Sequence, residues 1–144
     1  MKHLILALAL LVWSGAPAAA DTPLMAMQPQ IKLGIGARPA VMFVTVHNKG
    51  AATRLIGAKS DAFARIELHT HEMNGYMMRM VEVAAFNVPA KGKLHLAPGG
   101  HHLMMFGFRG DEKKAVKVTL IFANGQEVTT AATPTSRAKT GHAH

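Results

Sequence analysis

From Ala40 to Thr130 the chain alternates apolar and polar residues with a period of two, in short runs broken by turn residues, as half-buried strands do. Strands are predicted at Ala40–His47, Thr53–Ala58, Ala64–Met73, Tyr76–Val83, Lys93–Leu96, His101–Phe108, Ala115–Phe122 and Gln126–Thr130. Asn48-Lys49-Gly50, Asn74-Gly75, Pro89-Ala90-Lys91-Gly92, Pro98-Gly99-Gly100, Arg109-Gly110-Asp111 and Asn124-Gly125 separate them. Gly34-Ile35-Gly36 is too slight for a phosphate loop and reads as a plain turn. No window carries a helical stripe, and there is no internal repeat. The spacing predicts one all-β domain, an antiparallel barrel or sandwich spanning residues 38-132. Segment 21-37 precedes it, and a flexible tail, 133-144, follows. Both flanks are expected to be loose, because Asp21 to Gln30 holds Pro23 and Pro29 and the tail is polar and basic.

Residues 1-20 have a basic start, an apolar run from Leu4 to Trp13 and a small-residue end at Ala18-Ala19-Ala20, the pattern of a signal peptide cleaved before Asp21. An uncleaved anchor is the competing reading, but the run falls short of the ~20 apolar residues a span requires. No cysteine follows the cleavage site, which excludes lipid attachment there. An exported, soluble product without stable membrane insertion is expected. Removing Lys2 with the leader leaves fifteen cations against eight acids, a net +7 on 124 residues. That charge suits an acidic partner or anionic lipid. Nucleic acid is not expected, since export and the lack of a basic–aromatic stripe argue against it.

The 144 residues contain no cysteine, ten methionines and nine histidines. Thiolate metal sites, disulfides and thiol nucleophiles are therefore excluded, and a soft metal has to be held by thioether and imidazole. Asn-Gly is a strong hairpin signal. With Asn74-Gly75 as a two-residue loop, Leu68 faces Val81 and Ile66 faces Val83 on a core side. The other side then sets His69 opposite Met80 and His71 opposite Met78. Glu67 opposite Glu82 is the one unfavourable pair. In the strand after Pro98-Gly99-Gly100, His102 and Met104 share one face while Leu103 and Met105 take the core face.

His69, Met80, His102 and Met104 thus make a two-imidazole, two-thioether set if the strands meet. Thioethers favour Cu(I) over Mg, Ca or Zn. The set is neutral, so the loaded site carries +1, and the imidazoles must be deprotonated to ligate. Met42, Met77 and Met105 are expected to pack in the core and His47 and His95 to be solvated. His71, Met73, Met78 and His101 are alternate ligands or supports. The terminal histidines belong either to a plain tail or to an auxiliary Cu(II) site.

The segment His69–x10–Met80–x21–His102–x–Met104 resembles the H-x10-M-x21-H-x-M signature of the PCuAC (DUF461) periplasmic copper chaperones. Arg65-Ile66-Glu67-Leu68-His69, Met73 to Met80 and Leu96 to Met104 are also similar to that family, and the likeness runs from about Pro39 to Thr130. It implies a cupredoxin-like β-barrel that binds Cu(I) near its surface through His69, Met80, His102 and Met104. It also implies delivery to the copper-site subunit of a respiratory haem–copper oxidase, sometimes with a Sco-type assembly protein. The chaperone is expected to be a monomer and not an enzyme: no nucleophile elbow is present, and a copper oxygenase would use imidazole-rich coordination with an open position. An exported copper buffer or resistance protein is the alternative. A β-domain with incidental methionines is a third reading.

Overall fold

The computed structural model describes residues 23–136. The leader and the terminal histidines, the subjects of two expectations above, lie outside the described residues. Eleven strands are present: β1 (Leu24–Leu33), β2 (Ala40–Asn48), β3 (Thr53–Lys59), β4 (Arg65–Asn74), β5 (Met77–Glu82), β6 (Phe86–Val88), β7 (Gly92–Leu96), β8 (His102–Phe106), β9 (Val116–Phe122), β10 (Glu127–Ala132) and β11 (Thr135–Ser136). The described residues contain no helix, and hence none long and apolar enough to cross a membrane.

The strands form an all-β, cupredoxin-like sandwich of two open sheets. One runs β11-β1-β2-β8-β4-β5, with β7 also paired to β2; the other runs β10-β9-β3-β6. Pairing is antiparallel except between β1 and β11. Period-two alternation explains the layering. In β2, Met42, Val44 and Val46 point inward while Val41, Phe43, Thr45 and His47 point out. From the facing sheet Leu55, Val88, Val118, Leu120 and Phe122 fill the same core. Buried Asn48 closes the end of β2: its amide donates to the carbonyls of Ala51 and Pro89, and its oxygen accepts from Gly50 N–H.

Three expectations are corrected. Residues from Leu24 form strand β1 along the whole of β2 instead of a loose segment. Pro29 is tolerated because it falls at a β-bulge between Met27 and Gln30, where the ladder is interrupted. Met77 is not a core residue but 75 % exposed, because the tip of the β4–β5 hairpin runs past the core, to which β5 contributes no buried residue. The hairpin also turns at Gly75-Tyr76, one position beyond Asn74-Gly75, with Asn74 paired to Met77. Gly75 alone supplies the positive φ, 64°, at the first central position, as a type II′ turn requires. The register is therefore shifted by two residues, and two is one full pleat, so every side chain keeps its expected face. The shift also separates the two acids: Glu82 faces His69 and Glu67 faces Met104.

Leu103 lies at the centre of β8, fully buried between Leu68 and Met42 in the register. Leu103→Ala is expected to cost about 2–5 kcal/mol in denaturant unfolding, whereas Met77→Ala should stay within about 0.5 kcal/mol.

Candidate metal centre

Three neighbouring strands bring the four sequence-derived residues onto the outer face of the large sheet. β4 and β8 set His69 directly beside His102 and Glu67 beside Met104. β4 and β5 set His71 directly opposite Met80. His69 opposite Met80, the expected pairing, does not occur; Met80 is instead diagonal to His69, as Met104 is on the other side. Diagonal neighbours lie about 7–8 Å apart, within the reach of a long thioether. His69 is thus the hub, adjacent to one imidazole and diagonal to both sulfurs.

The site is recessed. His102 is 3 % and Met104 8 % exposed, His69 is half-buried and Met80 is 43 % exposed. The set therefore does not lie wholly at the exterior: His102 and Met104 are buried on β8, which is flanked by β2 and β4, and Met80, on the terminal strand β5, is the most exposed of the four. Met104 does not belong to the apolar core, where Leu103 and Met105 are found.

The hydrogen bonds fix both ring tautomers. His69 Nε2 lies 2.8 Å from Glu67 Oε2, and His102 Nδ1 lies 3.0 Å from the Gly100 carbonyl. Both oxygens are acceptors, so each of those nitrogens carries the proton, and in the neutral ring, the form able to bind a metal, the remaining nitrogen carries a lone pair. Those remaining atoms, His69 Nδ1 and His102 Nε2, are buried without a partner. The rings are 5.9 Å apart between centroids. A buried acceptor lacking a donor costs about 1–3 kcal/mol, and a soft cation between the rings would satisfy both.

Glu67 and Arg65 were given no role at the site from the sequence, yet they aim His69. Arg65 Nε donates to Glu67 Oε1 at 2.7 Å, and its guanidinium rests on the Phe106 ring, 4.1 Å from the centroid. The His69 hydrogen bond holds Glu67's carboxyl below its ordinary value, and Arg65 adds to the effect. A strand face carrying Glu and His at i, i+2 beside Arg was the signal available. Burial pushes His102 below its ordinary value; the Gly100 carbonyl opposes this, and His71, His69 and His101 add to it.

The supporting residues divide. His71 lies 5.5 Å from the His102 ring and reaches the Gly100 carbonyl through Nδ1 at 3.3 Å. Met73 and Met78 pair at the exposed hairpin tip on the same face. His101 is turned away, stacked on Phe86 at 4.4 Å and bonded to Thr70 Oγ1 at 2.9 Å. Among the described residues no three His, Asp or Glu side chains gather around one ion position, so an ion at the His69–His102 pair would need the thioethers.

The fold defines a class, the cupredoxin-like sandwich seen in PCuAC domains. The copper-bound PCuAC domain from PmoF2 aligns with a TM-score of 0.65 at 24 % identity, over 79 % of this chain and 93 % of that domain. The Cu(I) form of DR1885 from Deinococcus radiodurans aligns at 0.57 and 26 %, over 84 % and 82 %. The chain belongs to the LpqE-like family, whose model, described as "Putative lipoprotein LpqE-like", matches residues 18–134. "Putative lipoprotein Lxx21020" of Leifsonia xyli subsp. xyli (strain CTCB07) is 35 % identical over 94 residues, 62 % of this chain. The match spans 57 % of that relative's length.

Unfolding returns His102 to its ordinary value of 6.5, so the unfolded chain takes up the proton first as the pH falls. Metal-free stability is therefore expected to decline as the pH drops below 6.5 and to level off once the folded-state value is passed. Glu67 adds a further decline below its ordinary 4.5. Urea midpoints between pH 7.5 and 5.5 check the first, and His102→Gln should flatten that slope.

Proposed function

We propose that the protein is a periplasmic copper chaperone that carries Cu(I) on His69, Met80, His102 and Met104 and delivers it to the copper centre of a respiratory haem–copper oxidase. The observation that carries this reading is the pair of buried, partnerless imidazole lone pairs with thioethers diagonal to one of them. Copper-bound PCuAC neighbours support the cargo, and the lipoprotein family supports export.

The residues divide the work. His69 and His102 supply preset lone pairs, and Met80 and Met104 supply soft donors that stay unprotonated at any pH. The Glu67 carboxylate, one hydrogen bond behind His69, offsets the ion's single charge without ligating it. Exchange begins at Met80, the exposed member, while the three less exposed ligands retain the ion. An acceptor presenting thiolate binds the soft ion more tightly and draws it off, so affinity sets the direction of transfer. Met73 and Met78 extend the thioether row from Met80 to the hairpin tip, where an acceptor first makes contact.

Met80→Leu and Met104→Leu conserve volume and should weaken Cu(I) binding by orders of magnitude in anaerobic competition with a chelator, with unfolding nearly unchanged. Unaltered affinity in both would refute the ligand assignment. Glu67→Gln should cost about 10–100-fold. Mixing the loaded protein with an apo oxidase copper domain should move the metal to the oxidase, whereas retention here would make the protein a copper buffer.

A further inference from the structure

The outer face of the large sheet carries a second gathering of thioethers and imidazoles, away from the centre described above. Met25 on β1 stands directly opposite His47 on β2, and Met27 directly opposite Thr45. From the other side of β2, β7 sets His95 against Thr45 and Lys93 against His47. The His95 ring leans onto β2, its Nδ1 3.2 Å from Thr45 Oγ1, which leaves Nε2 as the nitrogen available to an ion. Thr45 and His47 share the face of Val41, which pairs with Met104, so both gatherings belong to one surface.

A β-bulge puts the methionines there. The β1–β2 register shifts between Met27 and Gln30, and Gln28 takes a φ of 52°, a conformation that non-glycine residues adopt rarely. Were the Gln30–Phe43 register to continue unbroken, Met25 would face Asn48 and Met27 would face Val46, both of them buried. The extra residue reverses this, sending Leu24 into the core and leaving Met25 and Met27 49 % and 39 % exposed. Packing gives no account of two methionines turned out to solvent by a strained backbone, whereas a bulge that re-aims side chains at a binding face is a recurring device.

We propose that Met25, Met27 and His47, with His95 at the margin, form a second site for a soft monovalent cation, Cu(I) or its redox-inert analogue Ag(I). Directly opposed residues have Cβ atoms about 4.5–5.5 Å apart, close enough for the sulfur of Met25 and the imidazole of His47 to share an ion. Thioether donors select soft ions. Lys49, Lys93 and Lys91 line the same hollow as His47. Their charge weighs half as much against a monovalent ion as against a divalent one, and it makes this site the weaker of the two.

The test is an anaerobic Ag(I) titration of the full chain carrying 13C-labelled methionine methyls. The Met80 and Met104 methyls should shift over the first equivalent and those of Met25 and Met27 over the second. Met25→Leu/Met27→Leu should abolish the second event and leave the first intact. The Met25 and Met27 methyls should still shift in Met80→Leu/Met104→Leu, so the two sites fail or stand separately. The C-terminal tail has no methionine, so capture by its histidines is silent in this readout. Met25 and Met27 methyls that stay unmoved through three equivalents would overturn the proposal.

Discussion

Two nitrogen lone pairs, on His69 Nδ1 and His102 Nε2, lie out of water with nothing to accept, and the surrounding structure is arranged to keep them so. Glu67 and the Gly100 carbonyl take the opposite ring protons and thereby decide which nitrogen stays bare. Arg65, resting on Phe106, keeps Glu67 in place. The β4–β8 register that sets His69 against His102 is in turn secured by Leu68 against Leu103 one residue away on the core side. Moving that register by one residue would send Leu68 and Leu103 to opposite faces of the sheet, and His69 and His102 likewise, so hydrophobic burial enforces the geometry of the candidate centre.

A single strand illustrates the division of labour. Along β8, Leu103 and Met105 enter the core while His102 and Met104 take the other face, buried as well. Methionine takes both faces in adjacent residues, as core filler at 105 and beside the imidazoles at 104, and only the pleat tells them apart. The most exposed member of the set, Met80, lies on the hairpin, away from the core.

Faces were legible from the sequence and pairings were not. Alternation placed Leu68, His69, His102 and Leu103 on their observed sides because side-chain direction depends only on parity. A two-residue slip conserves parity, so the apolar pattern could not separate the Asn74-Gly75 turn from the Gly75-Tyr76 turn. The unfavourable Glu67–Glu82 pairing was the one cue against the former. Strand β1 escaped notice because Pro29 and the bulge at Gln28 break its alternation in mid-strand. Met77 was misplaced because periodicity says nothing about where a hairpin outruns its core. The restraint of His69 by Glu67 is a two-residue contact within one strand and was open to inspection, but its importance depends on burial, which the sequence does not state.

The central claim is that buried imidazole lone pairs and thioethers share one soft ion. X-ray absorption at the copper edge, on protein loaded anaerobically with one equivalent of Cu(I), reads that first shell directly. Two sulfur and two nitrogen scatterers, reduced in sulfur by Met80→Leu or Met104→Leu, are the expected result. A shell of nitrogen and oxygen alone, unchanged by either substitution, would contradict the account.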